Sequence, residues 1–594
     1  MIEFLSRTPK SFRLDLTEVN ITFIEENPMF FNYLVKKYTW PFTKELDNET
    51  TAIFDFLDLD NAIKYATKFY GTLIIDNEFN EAYLEISQLN NGKIEGSIYY
   101  GKETNVLFSK KLSTLPFKLI STDHLFVHAK KIISKSYPKV GYNFPMIIDL
   151  EKKENSNYEY FEGIINNFED GNFKTNNSEV IEGENVIKNR NLIVPMPYLM
   201  EVLKVGFASD NTIMNGSFVS DTVNNKILIY TDKILEKFYS GIPDTFKFTT
   251  VSELWNNNYI SANHFETYSV TEKGTYSINI LMSLPDDIQV LEFKVIYGTQ
   301  IMYTSKANNF NKKLIINAED VDGLKSVRFY LSLQKYSTDG SVAIGDISAY
   351  NNISFNLTDG ELNTFPNNFS LGELMPDITF GAFLNKVINW FNLEVTFDKN
   401  VVNINYIEQK FSETNLKDER HLEPVNVSRV FNQNKLYELT DKTKALYISS
   451  SGLEADSNNH KKEDINSIDV GFKKMRRTSL NGVFTATKTK EEDGFSFVLF
   501  DGLQNGMPVT VDEIDGRNFS LEENYKRNWR KWLQFRLNSE TYKDKFPAHS
   551  LEQFNVGDGR FKYNKKHLYK SIKKQRMFFP KNYWMLDVES ETML

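Results

Sequence analysis

Cysteine is absent from this chain of 594 residues, which excludes disulfide bonds, thiolate metal sites and cysteine nucleophiles. The chain also lacks any run of 18 uninterrupted apolar residues, so we expect no transmembrane helix and no membrane insertion. Its first ten residues, MIEFLSRTPK, lack the apolar core of a signal peptide. These absences favour a soluble protein that is made in the cytoplasm.

An excess of positive charge is missing as well. The chain carries 69 Lys and Arg residues against 79 Asp and Glu residues, which gives a net charge of −10. A general nucleic-acid coat protein needs the opposite balance, because Lys and Arg displace the counterions of the phosphate backbone. The composition therefore argues against that class of protein.

Recognisable catalytic patterns are lacking too, since no nucleophile elbow, P-loop or dinucleotide-binding glycine pattern is present. His124 and His128 could share a metal on one helix face, but no third ligand is evident nearby, so structural or surface histidines are favoured. A solvated acidic turn is favoured for Asp55, Asp58 and Asp60 over the carboxylate pair of a glycosidase. We assign no catalytic, cofactor-binding or metal-binding residue, and we expect no enzyme and no cofactor.

Aromatic residues are abundant, with 47 Phe and 30 Tyr. Such residues fit half-buried pleated surfaces, and short alternating segments separated by turns recur along the chain. The predicted fold is mainly β with a few short helices, multidomain, with β-barrel domains and an inserted β-sandwich. Five regions are predicted: an N-terminal β-domain at 1–116, a looser region at 117–240, the inserted β-sandwich at 241–365, a helix plus β-hairpin at 366–410, and a C-terminal β-region at 411–594. The looser region contains a polar, extended tract at 151–191 and a short helix near 197–206. The C-terminal region is polar and partly irregular at 411–465 and has a helix near 521–537.

The clearest local pattern lies at 374–407, where apolar residues at three- and four-residue spacing predict an amphipathic helix. Asp377 or Thr379 can cap its first amides. The segments LEVTFD and VVNINYI alternate on either side of Lys399 and Asn400, which predicts a tight hairpin. We call 374–407 the helix–hairpin module. Its apolar face includes Phe383 and Phe391, at positions 380, 383, 384, 387, 388 and 391.

Two late segments are open to more than one interpretation. The run from Lys562 to Arg576 holds seven cations and no acid, including Lys565 and Lys566. It suits a solvated edge strand and turn, which is favoured, or a contact with phosphate or an acidic neighbouring subunit. Tyr525, Trp529 and Trp532 follow helical spacing, and packing in a core or subunit interface is favoured over binding of sugars or bases.

Taken in order, several segments resemble tail-hub proteins of tailed bacteriophages that infect Bacteroidetes, relatives of the late-control-D-like baseplate hubs. The Asn-, Lys-, Ile- and Phe-rich composition also suits a phage of that group, such as a crAss-like phage. The resemblance lies in the order and spacing of the segments, and it covers most of the chain outside 241–360 and 411–465. The segments are ENPMF (Glu26–Phe30), YTWPFTKEL (Tyr38–Leu46), KKLSTLPF (Lys110–Phe117), SYPKVGYNFPMI (Ser136–Ile147), NLIVPMPYLMEVLKVGF (Asn191–Phe207), MPDITFGAFLNKVINWFNLEVTFD (Met375–Asp398), the helix Tyr525–Leu533 and the strands Arg560–Lys574.

The resemblance implies a structural protein of the virion tail, made in the host bacterial cytoplasm. It implies assembly into a symmetric ring, with a hexamer favoured and a trimer or 12-mer as alternatives, around a channel through which encapsidated DNA passes. The other partners would be phage tail proteins at the baseplate. The candidate subunit or partner contacts are Phe383, Phe391, Lys399, Asn400, Trp529, Trp532, Lys565 and Lys566.

Two other functions stay open at this stage. One is a tail-associated carbohydrate-binding or depolymerising receptor-binding protein, with the sandwich at 241–360 as the sugar site. The other is a hub with cell-wall hydrolase activity, which is less favoured because no acid/base constellation is visible.

Overall fold

The computed structural model describes residues 1–593 apart from 55–65, 77, 91, 123, 153–157, 182–183, 236, 239–243, 250–252, 257–258, 271–273, 319–325, 337–343, 358–362, 365–367, 432–435, 442, 459, 472, 489–494 and 578–581. Strands account for 49% of the structure and helices for 19%, so the predicted mainly β, multidomain class with few short helices is confirmed. No helix in the described ranges is long and apolar enough to span a membrane. The acidic turn predicted at Asp55, Asp58 and Asp60 lies outside the described residues.

Fourteen of the described strands form one sheet that contains both ends of the chain, and we call it the large sheet. The N-terminal strand Thr22–Glu26 pairs antiparallel with the C-terminal strand Lys565–Arg576, so the sheet is continuous between them. The strand order along its main path is Phe12–Asp15, Ile2–Thr8, Lys68–Ile75, Glu78–Asn90, Lys93–Tyr100, Lys37–Thr39, Thr22–Glu26, Lys565–Arg576, Tyr583–Met593, Glu540–His549 and Asn426–Phe431, with Phe42–Glu45, Leu416–Asp418 and Gly559–Lys562 beside it.

The strands of the N-terminal region form where the alternation predicts them. Lys93–Tyr100, for example, buries every second residue, because successive side chains point to opposite faces of a sheet. The sequence analysis did not single out Ile2–Thr8 and Phe12–Asp15, although Phe4, Leu14 and Leu16 lie in the core of this region.

The inserted region consists of two antiparallel sheets that enclose a core of their own. One sheet contributes Ile278 and Ile280 to that core, and the other contributes Phe293, Phe329 and Leu331. This is the predicted β-sandwich. Its strands are Asp244–Phe246, Asn351–Leu357, Gly274–Ser283 and Asn309–Ala318 in one sheet and Glu253–Asn256, Tyr259–Ser269, Ser326–Tyr336, Ile288–Tyr297 and Gln300–Ser305 in the other.

The helix–hairpin module lies in the largest core of the protein. Its helix spans Phe380–Phe391, and the Thr379 side chain caps it by accepting a hydrogen bond from the Ala382 amide at 3.2 Å. The hairpin strands Leu393–Asp398 and Val401–Tyr406 pair on either side of Lys399 and Asn400 as predicted, and Ile213–Asn215 extends them as a parallel third strand. The helical face at 380, 383, 384, 387, 388 and 391 is buried throughout.

The polar tract 151–191, predicted to form extended connections, and the region 411–465, predicted to be partly irregular, both contain short paired strands between their loops. In the polar tract 151–191, buried asparagine side chains take the place of backbone partners: Asn166 Nδ2 donates to the carbonyls of Pro145 and Val194, both at 2.9 Å. Asn191 Nδ2 likewise donates to the Lys174 carbonyl at 2.8 Å. Polarity therefore does not mark exposure here. The strands are Ile164–Ile165, Phe168–Glu169, Asn172–Phe173, Asn177–Ile181 and Glu184–Lys188 in the first region and Leu416–Asp418, Asn426–Phe431, Leu436–Thr440, Ala445–Ser449, Gly452–Glu454 and Ile465–Asp469 in the second.

The remaining elements connect these units. The helix predicted near 197–206 spans Leu199–Ala208, and the one predicted near 521–537 runs over 521–538 with a π-helical turn at Tyr525–Trp529. The other α-helices are Asn48–Ile53, Leu125–Ile132, Ser217–Ser220 and Ile407–Ser412. The 3-10 helices are Pro28–Phe30, Lys102–Thr104, Val106–Ser109, Leu112–Thr114, Thr222–Lys226, Ser348–Tyr350, Leu371–Leu374 and Lys462–Asp464. The other strands are Leu119–Ser121, Tyr142–Asn143, Ile147–Ile148, Met196–Pro197, Ile227–Thr231, Lys237–Phe238, Asn363–Thr364, Asn368–Ser370, Arg476–Leu480, Val483–Thr487 and Phe495–Leu499.

Candidate functional site

The predicted contacts on the helix–hairpin module separate into buried and exposed residues. Phe383 and Phe391 are each 1% exposed, so their side chains have no surface to offer a partner subunit. Phe391 instead packs edge-on against Phe218, with ring centroids 5.0 Å apart. Lys399 and Asn400 are exposed at the hairpin turn and stay predicted contact positions.

A ladder of asparagine side chains joins the module to the C-terminal helix at 521–538. Asn392, in the left-handed conformation at the end of the module helix, donates from Nδ2 to the Asn528 carbonyl at 2.5 Å. Asn524 Nδ2 donates to the Trp390 carbonyl at 2.5 Å, and Asn528 Nδ2 donates to Asn524 Oδ1 at 2.8 Å. All three asparagines are buried, so these bonds fix the module against the C-terminal helix.

The C-terminal helix also contains a π-helical turn and bonds to the helix Ile407–Ser412. A π turn shifts the backbone hydrogen-bond register locally and frees amides from their usual i−4 partners. The Glu408 carboxylate accepts a hydrogen bond from the Trp532 amide at 2.9 Å, and the Lys531 amide also bonds to it. Burial raises the pKa of Glu408, although these hydrogen bonds favour its charged form. No spacing in the sequence points to this arrangement, because its partners lie more than 100 residues apart.

The aromatic residues of the C-terminal helix point inward. Trp529 and Trp532 are both buried, and Trp532 contacts Phe30 and Phe411 with ring centroids 5.1 and 5.9 Å away. Packing within the chain therefore accounts for both tryptophans, and neither side chain is accessible as the predicted partner contact.

The outer face of the same helix is basic, a feature that the sequence analysis did not single out. Lys526, Arg527, Arg530 and Lys531 are all exposed and line a shallow groove of about 670 Å³ beside the helix Ile407–Ser412. Arg527 forms an ion pair with Glu523 at 3.3 Å. The groove is a basic surface on a chain whose overall charge is negative.

Several of the late cations form ion pairs within the chain, and the edge-strand interpretation of their run is wrong, whereas a contact with phosphate or an acidic neighbouring subunit stays a prediction. Lys565–Arg576 has strand neighbours on both sides, so it is not the predicted edge strand. Ion pairs within the chain neutralise several of its lysine side chains, so fewer of them are available to an acidic partner. They join Lys565 to Glu540 at 2.9 Å, Lys570 to Glu589 at 2.6 Å and Lys574 to Glu25 at 3.0 Å, whereas Lys566 stays exposed.

A buried ionic cluster anchors this end of the large sheet. The Arg560 guanidinium is fully buried and contacts Asp544 at 2.7 Å, Glu419 at 3.4 Å and Ser590 Oγ at 2.7 Å. The Lys562 ammonium also reaches Asp544, at 3.1 Å. Burial by itself would raise the pKa of Asp544, but the Arg560 and Lys562 charges beside it hold that pKa below its usual value.

Stability should depend on pH through His567, which is buried next to this cluster. Burial, with the Arg560 charge, lowers the pKa of His567 to about 4, against about 6.5 in an unfolded chain. Below pH 6.5 the unfolded chain gains a proton that the folded chain lacks, so stability is full above pH 6.5 and falls as the pH drops towards 4. We expect His567→Phe to lose this dependence, roughly 3 kcal/mol across the window.

The measurement is denaturant unfolding of the wild type and the variant at pH 4, 5, 6 and 7. Replacing the exposed His421 with Phe serves as the matched control and should leave the pH dependence of the wild type unchanged. An unaltered pH dependence in His567→Phe would contradict the assignment.

The histidine pair is arranged for packing. His124 precedes the helix Leu125–Ile132, and His128 within that helix contacts the Tyr142 hydroxyl at 2.6 Å through Nε2. Among the residues that the structure describes, no three His, Cys, Asp or Glu side chains are grouped as metal ligands would be. The structure therefore adds no metal ligand to this pair.

The most exposed strand of the large sheet lies in the region 411–465, which was predicted to be polar and partly irregular. Asn426–Phe431, which we call the edge strand, pairs only with Glu540–His549 among the described strands, and all six of its residues are exposed. Three of them are apolar: Val427 is 43% exposed, Val430 48% and Phe431 60%. Val427 and Val430 lie three residues apart and so do not alternate, and no strand was predicted at this position.

Comparisons with known proteins return little for this chain. No family model matches it, and no curated protein matches it. Among solved structures, the chain is similar to the tail protein from Neisseria meningitidis MC58, with 7% sequence identity and a TM-score of 0.18, over 55% of this chain and 96% of that one. At this TM-score the similarity supports no argument, so the family of the chain is not shown.

Proposed function

We propose that the chain is a structural subunit of a bacteriophage tail, which assembles into a ring around the DNA channel and joins tail components. The observation that carries the proposal is the edge strand. An edge that exposes apolar side chains and unpaired backbone groups is a template for pairing with another chain, and folded monomers usually protect such edges. The sequence segments that resemble tail-hub proteins supply the biological setting.

The interior of the molecule suits this role. The asparagine ladder and the shared sheet tie distant parts of the chain together, which suits a subunit that keeps one shape within an assembly. The net charge of −10 suits a channel wall, because it repels the phosphates of passing DNA. We propose no catalytic role, since assembly and passage of DNA require none.

The test is direct imaging of the purified full chain. We expect negative-stain electron microscopy and mass photometry to show closed rings, with six subunits favoured, at a population that rises with protein concentration. A chain that stays monomeric over the whole concentration range, and that is absent from purified virions, would overturn the proposal.

A glycan array run on the same preparation tests the competing function. A ring-forming hub should give no signal on it, whereas specific binding that maps to the β-sandwich would favour a carbohydrate-binding receptor protein. A polysaccharide digestion assay extends the comparison to depolymerising activity.

A further inference from the structure

We propose that the edge strand Asn426–Phe431 of one copy pairs with the strand Phe12–Asp15 of a second copy, so that the large sheet continues across the subunit boundary. This inference rests on the proposed ring and names the contact that would build it. The two strands that would pair lie at opposite ends of the large sheet, and each comes from a different copy of the chain.

Both strands lie at the ends of the strand order of the large sheet. Within the described ranges, Phe12–Asp15 pairs only with Ile2–Thr8, and the edge strand pairs only with Glu540–His549. Each strand therefore has one side on which its amide and carbonyl groups lack a strand partner, and an added strand would satisfy them through main-chain hydrogen bonds.

The face of the large sheet that is buried along Glu540–His549 becomes exposed at the edge strand. The apolar side chains of the edge strand on this face therefore have room for a further strand beside them. Val427 stands opposite Asp544, and Arg429 stands opposite Tyr542. Cross-strand neighbours point to the same face, and Asp544 and Tyr542 are both buried. Val427 and Phe431, which follow on that same face, are nevertheless 43% and 60% exposed. A further strand with apolar residues on this face would extend the layer over them.

Protection against pairing is weak on this strand. Natural edge strands often carry Lys, Pro or a bulge that discourages unwanted partners. The edge strand has neither Lys nor Pro, and its one cation, Arg429, is already bonded to Glu540, with Nε at 2.9 Å from the carboxylate. Arg429 also lies 4.6 Å from the centre of the Phe431 ring, so its guanidinium stacks on that side chain and does not stand free at the edge.

The strand Phe12–Asp15 has the alternation that this surface requires. Leu14 is buried, and Phe12 packs edge-on against Phe54 and Phe69 at 5.4 and 5.2 Å, so these two residues mark the core face. Arg13 and Asp15 lie on the opposite face and are exposed. Pairing that keeps the core faces aligned therefore places apolar residues beside Val427 and Phe431.

One acid of the incoming strand would lie near two lysines on the outer face in the same alignment. Lys543 and Lys545 are exposed on Glu540–His549 and stand opposite Ser428 and Asn426 of the edge strand. Asp15 of the incoming strand would lie two strands, about 10 Å, from that row, within the reach of a lysine side chain. The second copy thus offers apolar residues for the core face and one acid, Asp15, near Lys543 and Lys545, whereas Arg13 on the same face is bonded to Glu3 of its own chain.

The two strands differ, so the contact joins unlike patches of identical subunits. Such a heterologous contact repeats from copy to copy and closes into a ring when the rotation between neighbours allows it. Self-pairing of two edge strands would instead give a two-fold dimer that cannot grow.

Cysteine cross-linking tests the pairing, because the natural chain contains no cysteine that could react. Arg13→Cys and Ser428→Cys, both at exposed outer-face positions, are made in separate full-length chains, which are then mixed and treated with a short bismaleimide. We expect a covalent dimer from the mixture and a ladder of higher multimers from the double variant. Leu551→Cys, at an exposed turn residue, replaces Arg13→Cys in the matched control and should give neither product.

Some cross-linking results would overturn the inference. A dimer from Ser428→Cys alone would mean that the edge strand pairs with itself. The absence of a dimer from the mixture, while the same chains still form rings, would place the ring contact elsewhere and leave the proposed function standing.

A second measurement uses charge to block the edge. Val427→Lys with Phe431→Lys should weaken the subunit contact at least about tenfold, because an added strand would bury both ammonium groups. Leu551→Lys, at an 83% exposed position, is the control and should assemble as the wild type does. Retention of the thermal unfolding profile confirms that the variant is folded. Equal assembly of the blocked variant and the wild type overturns the pairing, whereas a wild type that never assembles overturns the proposed function and the pairing with it.

Discussion

Arg560→Ala is expected to lower the free energy of unfolding of the C-terminal part of the large sheet by about 3–5 kcal/mol. The Arg560 guanidinium is the main counter-charge of two buried carboxylates, Asp544 and Glu419, at 2.7 and 3.4 Å. Its removal leaves these buried carboxylates with fewer partners, and a buried charge that lacks a partner is costly. Lys562 still reaches Asp544 at 3.1 Å, but it forms no ion pair with Glu419 in the described structure.

Hydrogen exchange in increasing denaturant measures the effect where it should occur, at the amides of Glu540–His549. Lys574→Ala is the matched control, because its ion pair with Glu25 is partly exposed, and it should cost no more than about 1 kcal/mol. Equal losses in the two variants would contradict the view that burial makes the Arg560 contacts distinct.

Phe391→Ala is expected to cost about 3–5 kcal/mol, because it empties a position in the largest core. The ring packs against Phe218 and Phe519, with centroids 5.0 and 6.1 Å away, and these neighbours come from segments that lie far apart in the chain. The surrounding rings cannot all close the cavity, so lost contacts add to the lost burial.

The readout for Phe391→Ala has to separate folding from assembly. Denaturant unfolding of the monomeric protein should show the full loss, and ring formation should decline only as far as the folded population does. Lys399→Asn, at the exposed hairpin turn, is the control for stability and should stay within about 0.5 kcal/mol of the wild type. A variant at 391 that folds normally and fails to assemble would restore Phe391 as a subunit contact.

Some of the contact residues predicted from the sequence are buried and others are exposed, and there is a physical reason why the sequence did not separate them. Spacing along a helix shows which side chains share a face, as it does for Phe383 and Phe391, but it does not show whether that face meets the same chain or another one. Burial decides between these cases, and here it assigns the aromatic residues to the interior. The exposed residues of the list, Lys399, Asn400 and Lys566, stay predictions for a partner.

The ionic cluster and the asparagine ladder were beyond sequence reasoning. Arg560 meets Glu419 across 141 positions, and Asn392 meets Asn528 across 136. A polar residue gives no local sign of a partner at that distance. Only the folded chain brings such residues together, and only there do they become buried and therefore important.

By itself, the sequence determined the properties that depend on neighbouring residues. Alternation and helical spacing determined the mainly β class, the N-terminal strands, the sandwich and the helix–hairpin module, because backbone geometry repeats over two or 3.6 residues. The lack of cysteine excluded thiol chemistry outright. The tertiary structure alone decided which strands lie at an edge, which cations are neutralised and which aromatic residues are accessible. Those properties depend on contacts between distant segments, and in this protein they include the exposure of the edge strand.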